Sequence, residues 1–401
     1  MITLFDLRSK EDTSLYADIQ ACYSEPLNIV PLFDKTLQPC IGCWDCWLKT
    51  PGVCFMKDDM VSLYADYMQS RNVIILMDTA QGFINHRAKA FIDRSIVHYL
   101  PYIELIQGEC HHVARYKTYP DLTFYFDSAN LSDKEEQVIE DYLYRTAFHY
   151  KGKGFRLLPG KPYTVKPLAH RKPKNKSLQI QAFKTSDTLI IYNGSPRRAN
   201  SNSGIILEAL MRAAHGHVEI RDLKKKDLWE TWQATFATDQ KVMFFLPLYV
   251  HAMPSHVMAF IEGLKPSEGS LSFFIQSGFP ESSQSYFLEA YFELLAQRLQ
   301  RHYGGTAIKG GMEGLQMRPA PGQVNMVRPL VKAIQTVIEH GAFNEEELTR
   351  LATPVRFGLI MRVLFRLIGA RLMNRFFWNM KLKKNNAYAM RFNRPHSSKT
   401  P

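Results

Sequence analysis

Short apolar stretches alternate with longer amphipathic stretches along this chain, and the alternation occurs in both halves. The short stretches are rich in β-branched and aromatic residues, as buried strands are, whereas the longer ones repeat their apolar residues at helical spacing. The predicted strands begin at Ile2, Leu27, Asn72, Leu122 and Phe155, and in the second half at Thr188, His217, Lys241, Leu271 and Thr306. The predicted helices cover 87–99, 133–149, 202–214, 254–264, 285–302 and 325–340.

Apolar strands that alternate with helices predict parallel sheets covered by helices on both faces. The predicted fold class is therefore α/β, with two tandem doubly wound sheets. Five strands in each half fit the strand order 2-1-3-4-5, in which ligands bind at the carboxyl ends of the strands. The loops that follow the strands are accordingly the expected place of a functional site.

Proline, lysine and glycine dominate 159–177, which shows no apolar periodicity and is predicted to be a linker. It separates a first domain at 1–158 from a second at 178–345, and 346–401 forms a C-terminal tail. At 401 residues the chain is long enough for each half to bury a core of its own.

Composition places the chain among ordinary globular proteins, with 46% apolar and 22% charged residues. Neither a signal peptide nor a run of about eighteen apolar residues is visible, so a cytoplasmic location is expected. The net charge of +12 comes from the tail, because 348–401 holds twelve Lys and Arg and no acidic residue. Since this charge is not spread over a folded binding surface, no nucleic-acid partner is expected.

The tail also has an apolar pattern. Ile360, Val363, Leu364, Leu367, Ile368 and Leu372 follow helical spacing, with arginines between them. Such a basic amphipathic helix can lie on an anionic membrane surface. We expect it instead to pack on the protein's own sheet or on a partner subunit.

A polar turn follows the strand that begins at Thr188, and a helix follows the turn. Gly194 permits a tight turn, and a nest of donors for a terminal phosphate is formed by the hydroxyls of Ser195, Ser201 and Ser203 and the amides of Asn200 and Asn202. The turn is neither a Gly-x-Gly-x-x-Gly loop nor a Walker loop. A helix-capping turn without a ligand is the alternative.

Two further loops follow the next strands of the second half. Pro247, Leu248, Tyr249 and Val250 come after one strand, with His251 beside them, and Ser277 and Gly278 come after the next. Apolar side chains mixed with free backbone amides can hold a flat aromatic ring.

These three segments, GSPRRANSNS, PLYVHAMPSHVMAFIE and FFIQSGFPES, resemble the flavin loops of flavodoxin-like NAD(P)H-dependent FMN reductases. The resemblance implies two flavodoxin-like sheets, FMN as cofactor, NAD(P)H as co-substrate, and Arg197 near the phosphate with the hydroxyl and amide residues above. It also implies a small electron acceptor (a flavin, a quinone, a nitroaromatic or a metal ion), and a homodimer with the flavin near the subunit interface. No catalytic acid or base is implied, so the catalytic residues stay unknown.

Four of the six cysteines, Cys40, Cys43, Cys46 and Cys54, lie in one short loop of the first half with the spacing C-x2-C-x2-C-x7-C. Thiols so close together can hold an iron–sulfur cluster or a zinc ion, or they can remain unliganded. The spacing is similar to that of iron–sulfur flavoproteins. All three alternatives stay open on the sequence alone.

The first half lacks the phosphate loop. Its first strand is followed by Arg8-Ser-Lys-Glu-Asp-Thr-Ser14, which has no glycine and carries acids that repel phosphate. The third loop reads Asp78-Thr-Ala-Gln-Gly82, whereas its counterpart in the second half begins with Pro247, Leu248 and Tyr249. Asp58 and Asp59 are expected to cap a helix. We therefore expect a fused, degenerate pair that builds one FMN site, with the cysteine loop packed near it.

The predicted function is that of an FMN-dependent oxidoreductase that takes hydride from NAD(P)H. Two alternatives remain: an electron-transfer protein with FMN and an iron–sulfur cluster but no nicotinamide chemistry, and a scaffold whose flavin site has decayed. Glu109, His111 and His112 offer groups that can bind metals, but adjacent histidines on a strand point apart, so a structural role is expected.

Overall fold

The computed structural model describes residues 1–158, 161–164, 180–183, 187–197 and 201–397. The chain folds into two compact units, Met1–Arg171 with Gly358–Pro401, and Lys172–Phe357. Most of the predicted linker at 159–177 lies outside the described residues. The last segment of the chain, from Gly358, belongs to the first unit although it follows the second unit in sequence.

The first unit contains a six-stranded sheet, a separate hairpin and helices. In chain order its elements are β1 Ile2–Asp6, α1 Ser14–Ala21, β2 Leu27–Pro31, α2 Asp45–Leu48, α3 Met60–Gln69, β3 Asn72–Met77, β4 Thr79–Ala80, β5 Phe83–Ile84, α4 His86–Arg94, β6 Tyr99–Ile106, β7 Glu109–Ala114, β8 Asp121–Phe126, α5 Asp133–His149, β9 Gly154–Leu157 and β10 Lys161–Thr164. The sheet order is β10-β9-β8-β3-β1-β2. All pairs are parallel except β9 with β10.

The second unit contains one five-stranded parallel sheet. Its elements are β11 Leu189–Asn193, α6 Asn202–Ala213, β12 Val218–Asp222, α7 Trp229–Thr235, β13 Lys241–Pro247, α8 Ser255–Glu262, β14 Ser270–Gln276, α9 Phe287–Arg298, β15 His302–Lys309, α10 Ala320–His340 and α11 Glu345–Leu351. The order β12-β11-β13-β14-β15 confirms the predicted 2-1-3-4-5 arrangement. β11, β13 and β14 are buried along their whole length, as strands covered on both faces must be.

Both units repeat one local structure after the third strand of this order. In the first unit β3 leads through a two-residue turn at Gln81 and Gly82 into α4. In the second, β13 leads through a turn at Val250 and His251 into α8, at the same spacing from the turn to the helix. All four turn residues have positive φ. The two units therefore share this local backbone conformation.

A continuous helical run, here called the tail helix, extends from Leu359 to Lys384. Its α-helical segments Leu359–Leu364, Ala370–Leu372 and Asn379–Lys384 alternate with π-helical segments Phe365–Gly369 and Met373–Trp378. No helix in the described part of the chain is long and apolar enough to span a bilayer.

The hairpin of β6 and β7, the short pair β4 and β5, and the edge strand β10 were not predicted. β6 and β7 contain Glu104, Glu109, His111 and His112, so their apolar residues do not alternate as in an ordinary strand. The strands predicted from continuous apolar sequence were all found in their predicted places.

Candidate functional site

The carboxyl end of β11 turns sharply into the predicted phosphate loop. The Gly194 N–H bonds the Phe245 carbonyl at 2.9 Å, and the Ser195 N–H bonds the Asn193 side chain at 3.1 Å. A Cβ at Gly194 would lie 2.7 Å from Val257 Cγ2, so only glycine fits between the strand and α8. The buried Ser195 hydroxyl group is thereby fixed at the start of the loop.

Helix α6 begins at the other end of this loop. The Ser201 hydroxyl accepts a hydrogen bond from the Gly204 N–H at 3.0 Å and caps the helix. The N–H groups of Asn202 and Ser203 have no carbonyl one turn earlier inside the helix. Because the positive end of the helix dipole lies here, these groups favour an anion.

Basic groups flank the loop. Arg197 is half-buried, and its carbonyl accepts a hydrogen bond from Lys224 Nζ at 3.1 Å. Lys224 also lies 3.0 Å from the Asp222 carboxylate. Lys224 was not among the predicted site residues, because it follows a different strand and only the sheet order brings it to this loop. Asn200, a predicted phosphate ligand, lies outside the described residues.

The second predicted loop forms a tight turn after β13. Tyr249 and Ala252 exchange two backbone hydrogen bonds of 2.8 and 3.0 Å. Val250 at φ 38° and His251 at φ 66° occupy the two central positions. Positive φ is unfavourable for a β-branched residue and costs about 1–3 kcal/mol. The corresponding turn of the first unit has Gln81 and Gly82 at these two positions, so a glycine can occupy the second of them. The second unit instead has two non-glycine residues at positive φ.

Surrounding side chains hold this strained turn in place. The His251 ring is buried, with Nδ1 3.1 Å from the Gln284 carbonyl oxygen, and the Gln284 amide donates to Glu281 Oε1 at 2.6 Å. Pro247 is buried, whereas Leu248 is half-buried and its N–H bonds the Gln276 carbonyl at 2.9 Å. Strain of this kind is typical of ligand-contacting segments.

Gln276, at the end of β14, joins the three loops. Its carbonyl accepts the Leu248 N–H, and its side-chain amide donates to Ser203 Oγ at 3.3 Å. The next residue, Ser277, donates from its hydroxyl to the Phe279 carbonyl at 2.9 Å and from its N–H to the Lys309 carbonyl at 3.0 Å. Gln276 lies in the predicted third loop, but only Ser277 and Gly278 of that loop were predicted to contact the ring.

Two more contacts complete the edge of the site. Asn202 Nδ2 donates to the Met312 carbonyl at 2.7 Å, and the Met312 N–H bonds the Ser277 carbonyl at 2.9 Å. A Cβ at Gly278 would lie 2.9 Å from Glu313 Oε2, so a larger residue at this position would require the Glu313 side chain to move. The structure thus places the described residues of all three predicted loops at one edge of one sheet.

The residues at this edge fit a flavin mononucleotide in kind. The start of α6 supplies donors for a phosphate, and Arg197 and Lys224 supply positive charge. Asn202 Oδ1 is buried and has no hydrogen-bond partner among the described residues, and a hydroxyl of a ribityl chain could donate to it. The apolar and aromatic second loop provides a surface suited to a ring.

The corresponding loop of the first unit is filled by its own side chains. The buried Arg8 guanidinium bonds the Asp6 carboxylate, with Nη2 2.7 Å from Oδ2, and it lies 3.0 Å from Asp12 Oδ2. The Ser9 hydroxyl and N–H both bond Asp78 Oδ2, at 2.6 and 2.7 Å. Carboxylates occupy the place where a phosphate would need donors.

The four clustered cysteines, Cys40, Cys43, Cys46 and Cys54, all line one cavity of about 50 Å³ in the first unit. Gly42 at φ 62° and Trp44 at φ 64° allow the loop to curl around it. Arg94 also lines the cavity, and its Nη2 donates to Cys54 Sγ at 3.6 Å.

Burial raises the pKa of three of these thiols, Cys40, Cys43 and Cys46. It raises the pKa of the Cys40 thiol to about 12, and the Asp93 carboxylate adds to the rise. Burial also raises the pKa of Cys46 well above its ordinary value, and the three neighbouring thiols add to it. The pKa of Cys43 is raised by the same cause. Among the residues that the structure describes, no three His, Cys, Asp or Glu side chains are arranged as metal ligands.

The tail covers this loop. Trp378 of the tail helix packs edge-on against Trp44 and Trp47, with ring centroids 5.3 and 5.6 Å apart. The His396 ring lies 3.0 Å from the Gly52 carbonyl oxygen. A segment from the far end of the chain therefore packs on the cysteine loop.

Asp59 occupies the N-cap position of α3, as predicted for the helix start, but the helix has no side-chain capping bond. Asp58 Oδ2 instead accepts hydrogen bonds from the Gln38 N–H and from the buried Arg94 guanidinium. Asp59 Oδ2 accepts the Thr36 N–H at 2.8 Å. Both carboxylates tie the cysteine loop to the helix layer, which helix-start statistics do not reveal.

The histidines of β7 have structural surroundings. Glu109 pairs with Arg145 at 2.9 Å, and His111 Nε2 lies 3.9 Å from the same carboxylate. Burial lowers the pKa of His111 to about 3, and the positive charge of Arg145 lowers it further. The neutral ring packs among aromatic side chains.

No protein-family model matches the sequence, and no curated protein sequence does either. Solved structures that match part of the chain include an NADPH-quinone reductase from P. pentosaceus, 16% identical, with a TM-score of 0.30 over 36% of this chain and 96% of its own. General stress protein 14 from Treponema denticola, solved with FMN, is 15% identical, with a TM-score of 0.29 over 37% and 99%. An FMN-dependent NADH-azoreductase from Bacillus anthracis, also with FMN, is 11% identical, with a TM-score of 0.29 over 38% and 99%. Similarities this low do not assign an activity to this chain.

Proposed function

We propose that the second unit binds FMN and that the protein is a flavin-dependent oxidoreductase. The observation that carries the proposal is the joining of three loops at one sheet edge by Gln276, between the donor-rich start of α6 and the strained turn after β13. In a doubly wound sheet, this edge is where ligands bind.

The phosphate of the cofactor is assigned to the start of α6. The hydroxyls of Ser195 and Ser203, with the first N–H groups of the helix, supply neutral donors. Ser201 holds the helix start in place through its bond to Gly204. Arg197 and Lys224 add the charge that favours a phosphate over an uncharged end group.

The ring is assigned to the second and third loops. Pro247, Leu248, Tyr249 and Val250 would flank it, and Ser277 and Gly278 would approach it from the next strand. The rigid turn presents these groups without further ordering, which reduces the entropy cost of binding. Their apolar bodies would keep water from the reacting side of the ring.

When bound, FMN supplies the hydride and electron chemistry, and no side chain of this protein is required as an acid or base. We propose NAD(P)H as the reductant and a small molecule such as a flavin, quinone, nitroaromatic or metal ion as the acceptor. The side chains act by positioning and by excluding solvent. A homodimer and a cytoplasmic location remain predictions from the sequence.

The phosphate assignment is tested by comparing FMN with riboflavin, which lacks the phosphate. Arg197→Glu should weaken FMN binding by about tenfold or more while leaving riboflavin binding nearly unchanged. Lys10→Glu is the matched control, because Lys10 is an exposed basic residue in the corresponding loop of the first unit. Equal effects of the two substitutions on FMN binding would contradict the assignment.

The reductase activity is tested by adding NADH or NADPH to the FMN-loaded protein without oxygen. Bleaching of the flavin absorbance at a rate faster than that of free FMN supports the nicotinamide chemistry. A flavin that binds but is not reduced would favour the electron-transfer alternative. A protein that takes up no flavin would favour the scaffold.

A second candidate function involves the cysteine loop, because four thiols line one cavity. An iron–sulfur cluster or zinc ion there would need the loop to rearrange, since no three metal-binding side chains among the described residues are arranged as ligands. Iron, zinc and acid-labile sulfide measured in protein purified without oxygen decide between the liganded and unliganded alternatives.

A further inference from the structure

The tail helix is held on the first unit by one face only. The Ile103 N–H donates to Asn374 Oδ1 at 2.8 Å, and Asn374 Nδ2 donates to the Ile103 carbonyl at 3.0 Å. The Tyr102 hydroxyl donates to Asn379 Oδ1 at 2.7 Å. The buried Trp378 and Leu382 pack on the same side. These contacts fix which side of the helix faces outward.

The outward side carries a row of large apolar residues, here called the apolar stripe. Its members are Ile360, Leu364, Ile368, Leu372, Phe376 and Met380, with exposed fractions between 46% and 76%. Leu359, Val363 and Leu367 are also exposed and widen the row at its start. An exposed apolar surface of this length marks an interaction site in a folded protein.

The two π-helical segments explain why the stripe stays straight. Residues four apart rotate by about 40° per turn in an α-helix of about 3.6 residues per turn, so a row of period four would wind around it. A π-helix has more residues per turn, and alternating it with α-helix brings the average closer to four. The backbone therefore departs from α-helix in the way that keeps the stripe on one side.

Basic residues accompany the stripe. Arg366, Arg371 and Arg375 are exposed, and no acidic residue occurs anywhere in 348–401. Lys381 lies over the Trp44 and Phe377 rings at 4.9 and 4.6 Å, so the positive charge continues to the end of the helix. A helix that combines positive charge with exposed apolar side chains is attracted to a surface whose outer groups are anionic and whose interior is apolar.

From this geometry we propose that the tail helix docks the protein on an anionic lipid bilayer. The apolar stripe enters the boundary between headgroups and acyl chains, and the arginines bind lipid phosphates. The helix lies along the surface, because its inner face is occupied by the first unit. A second copy of the chain is disfavoured as the occupant, because two such basic helices repel each other.

The proposal is independent of flavin binding and is tested by sedimenting the full-length protein with vesicles. Vesicles of phosphatidylcholine with phosphatidylserine should retain the protein, vesicles of phosphatidylcholine alone should not, and added salt should weaken retention. Ile368→Asp should reduce retention by about tenfold or more. Met211→Asp, at an exposed methionine on α6, is the matched control and should have no effect.

The double variant Arg366→Glu with Arg371→Glu tests the charge separately and should also reduce retention. All these positions are exposed, so near-ultraviolet circular dichroism should be unchanged. Retention that does not depend on phosphatidylserine, or that survives both sets of substitutions, would overturn the proposal. So would a dimer that Ile368→Asp dissociates while vesicle retention stays unchanged.

Discussion

The side-chain amide of Gln276 donates a hydrogen bond to the hydroxyl of Ser203, 3.3 Å away. Gln276 ends β14, and Ser203 lies in the first turn of α6. Both side chains are buried. The bond connects the predicted ring loop and the predicted phosphate loop across the carboxyl edge of the sheet, so it couples the two halves of the proposed FMN site.

Loss of this bond should loosen the site. Gln276→Ala leaves a buried hydroxyl without its donor, which costs about 1–3 kcal/mol of unfolding free energy. FMN should also bind about tenfold more weakly, because the first turn of α6 is no longer held against β14. Isothermal titration with FMN and a urea denaturation curve measure the two effects.

Gln335→Ala is the control for this change. Its side chain donates to the Ala213 carbonyl at 3.3 Å, away from the loops of the site. It should lower the unfolding free energy slightly and leave FMN affinity unchanged. An FMN affinity of Gln276→Ala equal to that of the unmodified protein would show that the bond does not support the site.

The strained turn after β13 should lower the unfolding free energy of the protein and strengthen FMN binding. Val250→Gly relieves the positive φ of a β-branched residue, and we expect the unfolding free energy to rise by about 1 kcal/mol. FMN should bind more weakly, because the Val250 side chain is assigned to the ring. Thermal denaturation and FMN titration of the same preparation check both signs.

The matched substitution in the first unit is Gln81→Gly, in the same turn at φ 50°. It should also stabilise the protein but leave FMN affinity unchanged. If Val250→Gly raised stability without weakening FMN binding, the strain would have no connection to the cofactor.

A buried histidine should make the protein sensitive to acid. His98 is fully buried, neither ring nitrogen has a hydrogen-bond partner among the described residues, and its ring stacks on Tyr67. Burial lowers the pKa of His98 well below its ordinary value, and His396 and Arg115 lower it further. Below about pH 6.5 the unfolded chain binds a proton that the folded chain excludes, so stability is lost as the pH falls.

His98→Phe keeps a ring in the stack and removes the titration. Between pH 7 and pH 5 we expect this variant to lose about 2 kcal/mol less unfolding free energy than the unmodified protein. His217→Phe, at an exposed histidine, should not change the pH dependence. Identical pH dependence in all three proteins would mean that folding does not lower the pKa of His98.

The clustered cysteines should react in the order of their exposure if they carry no metal. Cys43 is exposed, whereas Cys40 and Cys46 are only partly exposed and the pKa of Cys40 is raised to about 12. Brief alkylation at neutral pH, followed by peptide mass mapping, should modify Cys43 and the exposed Cys22 first. Protection of Cys43 together with Cys40, Cys46 and Cys54, while Cys22 reacts, would indicate a bound metal or cluster instead.

Local sequence was sufficient for much of the fold. Apolar strands such as Asn72–Met77 and Lys241–Pro247 are recognisable because both of their faces are buried, and alternation with helices then gives the sheet order. The capping Ser201 was also visible, because its hydroxyl group bonds a backbone N–H only three residues later. These features depend on residues close together in the chain.

Contacts between distant segments were not predictable in this way. The contacts of Gln276 become visible only when β14 is placed beside β13 in the sheet. Lys224 contacts the phosphate loop only because β12 lies beside β11. Asp58 resembled a helix cap, but its partner is Arg94. Trp378 covers a loop more than three hundred residues earlier, which no local pattern indicates.

The stoichiometry of FMN binding tests the central claim most directly. Isothermal titration of the purified, flavin-free protein should give one FMN per chain, because the first-unit loop is filled by Arg8, Asp6 and Asp12 while the second-unit loops present donors. Two FMN per chain would contradict the single site. No uptake of FMN would contradict the assignment of the second unit altogether.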